Sequence, residues 1–429
     1  MVSLPKSFKL DEPIPSLTDG SQSTLISCRP VSGGPWTPGG IIDIDLGTRG
    51  WLDPASLAIR YSVATVVPAT TPSAMIGTPV YTPFQRLQVT ANGTTIDSIS
   101  QYNQVAHVLT LGNLDVAAKF GRQFAYGYSP TQPATTTIQN LDARVSAANA
   151  TDSYSVAAPL PCLLSQCEKM IPLFAVGNIR LTFTLDSLAN MFATGTMVTA
   201  YQIPTSISLS NFEVVYNMVD LGHEVEAMVK GMGSRLFLKS HSYNNSATAV
   251  AAGAIGSQAY VFNQRYSSIR SAFILPNLTI GSKWGEICDL TSGSGDYQLQ
   301  IGNSAYPQMP LSSFNNKAGI LQETYRAFGN IYGNGSMSID GGEFLITANN
   351  ALASLNPYEP GKFIVGQNLE KCQNTDHVLM SGVSTYNSPI SAIINISTAS
   401  TGACNLNLLL DYDAIIVIDQ DAHQISVRS

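Results

Sequence analysis

The residues best suited to chemistry stand near the end of the chain: Asp411, Asp413, Asp419 and Asp421. Two carboxylates facing each other across a cleft can hydrolyse a glycosidic bond, and a denser oxygen set can bind calcium. Asp411 and Asp413, however, flank an apolar run two positions apart, so on a strand they share one face and are expected to be solvated neighbours. Asp419-Gln420-Asp421 reads as a turn between Ile415–Ile418 and Ile425–Val427. The histidines (His107, His223, His241, His377, His423) form no paired ligand spacing. His223-Glu224 is followed by Val225-Glu226, with no second histidine to complete a zinc-protease helix. His107 lies beside the core stripe of a predicted helix and reads as a helix-face residue. Cys162 and Cys167 have no further Cys or His at zinc-like spacing. The chain contains neither a phosphate-binding G-x-x-x-x-G-K-[ST] loop nor a G-x-S-x-G elbow. Sequons such as those at Asn92, Asn244, Asn277, Asn334 and Asn395 are expected by chance in a chain rich in Asn, Ser and Thr. No catalytic, cofactor-binding or metal-binding residue is assigned, and neither enzymatic activity nor a cofactor is expected.

Composition points away from catalysis as well. The 429 residues suit two domains better than one, and 44% of them are hydrophobic, enough for two cores. Only 12% are charged, against roughly 25% in ordinary soluble proteins. Uncharged polar residues fill the surface instead, a balance that suits burial against neighbouring subunits. The net charge is −7, and the first forty residues hold only Lys6, Lys9 and Arg29. Binding to nucleic acid depends on clustered Lys and Arg, so direct binding through a basic arm is not expected. No run of eighteen apolar residues predicts a membrane-spanning helix, and the opening Met-Val-Ser-Leu-Pro-Lys has no secretory h-region. The six scattered cysteines then read as reduced core thiols.

These features need a scaffold, and turn signals supply its outline. The chain carries 34 Gly and 23 Pro, with Asn-Gly at 92–93 and 334–335, and short apolar runs lie between the turns. Ile179–Leu185 alternates with the period of a half-buried strand, and Ile41–Ile44, Leu57–Val63, Phe212–Tyr216 and Leu408–Leu410 read as strands too. Two segments have helical spacing instead. Tyr102, Val105, Val108 and Leu109 lead to Gly112-Asn113, and Leu321, Thr324, Tyr325 and Phe328 lead to Gly329-Asn330. Each has a polar residue ahead of it and a glycine where a left-handed terminal residue belongs.

The two helices belong to a repeat. Leu87–Gly93 and Leu299–Ala305 are both strands entering a turn, 212 residues apart at their first residues, and each leads to a short extended piece and then a helix. The stops at Gly112 and Gly329 lie 217 apart. Ser208–Tyr216 closes the first half as Asn405–Asp413 closes the second. A period this long implies two similar domains, expected at 40–220 and 221–429. The Pro-rich, unpatterned residues 1–39 are expected to form an extended N-terminal arm that contacts neighbouring subunits or the inner layer of an assembly. The polar stretches Tyr126–Pro161 and Ile331–Pro360 are expected to be long loops at one end.

In order along the chain, Ile41–Leu46, Leu57–Val63, Thr82–Gly93, Tyr102-Asn103-Gln104, Asn178–Leu185, Ile207–Tyr216, His223–Val229 and Leu410–Asp419 resemble the double jelly-roll major capsid proteins of polinton-like viruses, adintoviruses and virophages, relatives of the large nucleocytoplasmic DNA viruses. The resemblance implies an all-β chain of two tandem eight-stranded antiparallel jelly-roll barrels, with short helices and long apical loops. It further implies a pseudo-hexagonal homotrimer in an icosahedral virion, assembled in the host cytoplasm or nucleus. Its implied partners are neighbouring capsomers, penton and minor capsid proteins, in many such shells an internal membrane, and a host receptor that the sequence does not identify. Sequence-specific nucleic-acid binding is not implied. Two other readings stay open here: one jelly-roll shell domain with a protruding domain, which predicts no repeat, and a sugar-binding or hydrolytic β-sandwich.

Overall fold

The computed structural model describes residues 21–114, 116–128, 143–192, 202–231, 234–251, 253–278, 289–290, 295–313, 315–329, 339, 363–371, 380–396 and 404–429. Eight main strands build the first half, beside the short pieces Trp51–Leu52, Ser73–Ile76, Ala143–Ser146 and Ile171–Pro172: β1 (Gln22–Cys28), β2 (Ile41–Asp45), β3 (Ala58–Val66), β4 (Phe84–Ala91), β5 (Thr94–Ser100), β6 (Thr151–Pro159), β7 (Ile179–Leu185) and β8 (Ser206–Asp220). Eight more main strands build the second, with Gln424–Arg428 as a short strand after the last of them: β9 (Arg235–Val250), β10 (Gly256–Phe262), β11 (Ile269–Leu278), β12 (Asp296–Ile301), β13 (Ser304–Ser312), β14 (Val365–Asn368), β15 (Ile390–Ile396) and β16 (Cys404–Asp419).

In the first half, β1, β8, β3 and β6 lie side by side in one sheet, and β2, β7, β4 and β5 in another. In the second, the orders are β9, β16, β11, β14 and β10, β15, β12, β13. Adding eight to each strand number turns one half into the other. Every pairing is antiparallel, and strands adjacent in sequence mostly lie in opposite sheets, as in the jelly roll. The duplication inferred from sequence is therefore a duplication of topology.

Alternation explains the layering. In β7, the side chains of Ile179, Leu181, Phe183 and Leu185 are buried while Arg180, Thr182 and Thr184 are more open. The first core holds an aromatic cluster among its aliphatic side chains: the Phe212 ring lies 5.3 Å from Tyr61, 5.8 Å from Phe84 and 5.3 Å from Phe183. The second leans on aliphatic side chains, among them Ile390, Ile394, Leu408 and Ile416, all with no exposed area. No helix among the described residues is long and apolar enough to cross a membrane.

Several details depart from the sequence reading. Gln22–Cys28, placed in the N-terminal arm, is the first strand of the first barrel and pairs with β8 from Gln22↔Asp220 to Cys28↔Val214. Its lone Leu25-Ile26 pair, without alternation, hid it. Residues 1–20 lie outside the described residues. The polar stretch from Tyr126 contains β6, and Ala143–Ser146 pairs with Ser73–Ile76, so much of that supposed loop is sheet. Nearly all of Ile331–Pro360 lies outside the described residues. The matched hairpin turns fall at Asn92-Gly93 and Gly302-Asn303, 210 residues apart by their first residues, two fewer than the sequence alignment gave.

Candidate functional site: the seam between the barrels

The acidic residues singled out in the sequence separate into two groups. Asp419 and Asp421 form the expected turn, where the Asp419 carboxylate accepts the backbone N–H groups of Asp421 (3.2 Å) and Ala422 (3.1 Å). Asp411 and Asp413 share a face of β16 as expected, but Asp413 is only 3% exposed and the Asp411 side chain keeps only 15%. His241 Nδ1 lies 3.0 Å from Asp411. Arg270 bonds Glu370 at 2.9 Å and lies 3.7 Å from Asp411 and 3.9 Å from Asp413. Ser268 donates to Asp413 at 2.5 Å. Burial raises the Asp411 carboxyl, but His241 and Arg270 outweigh it and hold it below the ordinary range. Burial dominates at Asp413 and raises it. Two carboxylates on one strand, clamped by one guanidinium, tie β9, β11 and β16 together; they do not face each other across a cleft.

The other candidates are also structural. His107 is buried rather than on an open helix face, with Nδ1 3.0 Å from Thr78 Oγ1. Burial pushes the Cys162 thiol up to about 12 and the Cys167 thiol to about 11, so neither is a ready nucleophile. Cys288, Cys372 and His377 lie outside the described residues. Among the described residues no group of three His, Cys, Asp or Glu side chains is placed to hold a metal. A cavity of about 270 Å³ beside Tyr81, Leu109, Arg122 and Tyr243 brings no acid–base pair together.

The most concentrated polar construction lies where the barrels meet. From the first barrel come β5, the turn at Leu163 and helix α1 (Tyr102–Asn113); from the second come β9 and the end of β11. Every residue of α1 from Tyr102 to Gly112 is buried. Its sequence, Tyr-Asn-Gln-Val-Ala-His-Val-Leu-Thr-Leu-Gly-Asn, contains no Asp, Glu, Lys or Arg, as a helix enclosed on all sides requires. Asn245 Nδ2 donates to Gln104 at 2.7 Å and to Gln101 at 3.0 Å, and Gln104 Nε2 donates to Asn277 at 3.3 Å. Ser100 donates to the Asn245 carbonyl at 3.1 Å, and Ser240 to the Leu163 carbonyl at 2.5 Å.

At the centre sits Asp97, 4% exposed. Its carboxylate accepts Ser242 Oγ at 2.8 and 2.9 Å and the Leu163 N–H at 2.9 Å. Burial pushes its pKa up to about 6, against the pull of the Leu163, Ser242 and Ser98 hydrogen bonds. Lys239 and Glu168 add an ion pair at 3.0 Å on the rim. The amide of Asn92, the turn residue, reaches the His423 carbonyl.

Gly112 has a role the sequence reading misassigned. It is not the left-handed residue after α1; it sits in the last turn of the helix, which is capped by an extended Leu114. A Cβ there would stand 2.3 Å from the Phe328 ring of the second barrel. Glycine is required because two elements cross at that point. Gly329 does match its expectation, following helix α2 (Lys317–Ala327) at φ +76. Asn316 caps α2 through a bond from the Gly319 N–H. The seam residues Asp97, Ser242, Asn245, Gln104 and Phe328 were not singled out from sequence. The uncharged composition of α1 was the available signal.

No protein-family model matches the sequence, and no curated protein matches it. Solved structures do match. The PBCV-1 virus capsid is similar at 10% identity over 98% of this chain and 99% of that one, with a TM-score of 0.63. The Faustovirus major capsid protein is similar at 10% identity over 95% and 92%, with a TM-score of 0.63. The fold of this chain is the double jelly roll. The mavirus major capsid protein, at 10% identity over 100% and 95% with a TM-score of 0.55, shares it. Duplicated topology, and coverage of nearly the whole length on both sides, remove the reading with one shell barrel and one protruding domain.

Proposed function

We propose that this chain is a viral major capsid protein, a structural component of an icosahedral shell with no catalytic role and no cofactor. The observation that carries this is the end-to-end match of both barrels to double jelly-roll capsid chains. Low charge, a seam made for rigidity, and candidate chemical residues absorbed into structural bonds support it. The working unit is a homotrimer, pseudo-hexagonal because each chain contributes two barrels. Its domains are 40–220, extended to include Gln22–Cys28, and 221–429. It packs against neighbouring capsomers, penton proteins and minor capsid proteins in a DNA-virus particle, and the acidic net charge suits a brick that does not hold the genome itself.

Size-exclusion chromatography with light scattering tests this on purified protein. The expected result is a stable three-chain particle or a larger shell. A monodisperse monomer at micromolar concentration contradicts it.

A further inference from the structure

A cavity of about 270 Å³ opens along α1, and both barrels wall it. Tyr243 comes from β9 of the second barrel; the other described lining residues come from the first, among them Leu57, Ala106, Leu109 and Leu160. Pro54, Pro159 and Pro161 line it too, and proline has no N–H to offer a ligand. Three lining hydroxyls already donate elsewhere. Tyr81 donates to the Pro159 carbonyl at 2.7 Å, Thr110 to the Ala106 carbonyl at 2.8 Å and Ser165 to the Cys162 carbonyl at 3.0 Å. To an entering molecule these walls are apolar.

The mouth is different. Among the described residues that line the cavity, Arg122 alone is charged, and it is exposed. Its guanidinium donates to the Tyr126 hydroxyl at 3.3 Å, and no carboxylate among the described residues pairs with it. Apolar walls with one unpaired cation at the opening suit an apolar chain that carries a single negative charge. Size narrows the choice. A cavity of about 150 Å³ holds benzene, so this one suits a molecule of about ten non-hydrogen atoms.

We propose that the cavity binds a medium-chain carboxylate, with its chain along Leu109 and Leu160 and its head on Arg122. Because Tyr243 completes the wall, the site exists only when the barrels are docked. A bound carboxylate therefore stabilises the seam by mass action, adding to the hydrogen bonds around Asp97 and Asn245.

Isothermal titration calorimetry of the purified full-length chain with octanoate tests this. The expected result is saturable binding of one octanoate per chain. Hexanoate should bind roughly tenfold more weakly, since each buried methylene contributes about fourfold. Octylammonium has the same chain and the opposite charge, and should not saturate. Arg122→Gln should weaken octanoate about fivefold and leave 1-octanol unchanged, the scale of an exposed charge pair. Ala106→Leu narrows the cavity and should weaken both. Arg122 is exposed, so its variant keeps the fold and decides the question even where Ala106→Leu does not fold. Octanoate that fails to saturate the wild type overturns the proposal. Octylammonium that binds as tightly, or octanoate affinity that survives Arg122→Gln, marks unspecific adsorption and overturns it as well.

Discussion

Helix α1 is buried along almost its whole length, whereas α2, at the same place in the second barrel, buries only Ile320 and Thr324. The strands preceding them differ in the same way. Local sequence follows this difference: α1 carries no charged residue, while α2 carries Lys317, Glu323 and Arg326, the last two paired at 2.9 Å. Topology alone therefore does not decide what a jelly-roll surface looks like. The neighbour decides, and the first barrel has a permanent one.

The largest expected effect concerns the charge hidden in the seam. Asp97 has a folded pKa of about 6, above its unfolded value, so the native state holds its proton to higher pH than the unfolded chain does. Its contribution therefore weakens as pH rises from about 4 to about 6 and stays low above that. Asp97→Asn removes this dependence while its amide still bonds Ser242 and the Leu163 N–H. Denaturant titrations should show the variant gaining about 3 kcal/mol relative to wild type between roughly pH 4 and pH 7. A difference that does not vary with pH would mean the carboxylate is not buried by the seam. Asp411 supplies the opposite sign: its depressed pKa stabilises the fold at neutral pH, and that contribution fades as pH falls below about 4. The penalty of Asp411→Asn should accordingly shrink on acidification.

The paired glycines sharpen the comparison next. Gly112→Ala forces a methyl group into the Phe328 ring and should cost about 1–3 kcal/mol despite alanine's better helix propensity. Phe328→Ala should relieve most of that penalty in a double-mutant cycle, and additive costs would show that the ring and the helix do not touch. Gly329→Ala meets no atom and should cost only about 1 kcal/mol, through its left-handed backbone. The smallest contrast compares two polar positions by thermal melting. Asn245→Ala, which loses bonds to Gln101 and Gln104, should destabilise by about 1 kcal/mol. Ser27→Ala, on the open counterpart strand, should stay within about 0.5 kcal/mol in the monomer.

Much of this architecture was legible in the residues. Period-2 alternation marked β7 because one face is core and the other open. The Leu87 and Leu299 hairpins and the two helices exposed the duplication because turn residues and helical spacing survive divergence of the core. The same logic failed at β1, whose side chains lie mostly outside the core and so carry no alternating signal. It failed again at Asp411 and Asp413, where solvation was inferred from spacing alone. Their burial comes from Arg270, well over a hundred residues earlier in the chain, which no local pattern reveals. The seam was the least visible region, since hydrogen bonds such as Ser242 to Asp97 depend on how two barrels dock.

Negative-stain electron microscopy of the purified oligomer tests the central claim most directly. The account predicts threefold particles with six lobes of similar size, one for each barrel, joined edge to edge around a ring. Isolated two-lobed particles, or open filaments without threefold closure, would contradict it.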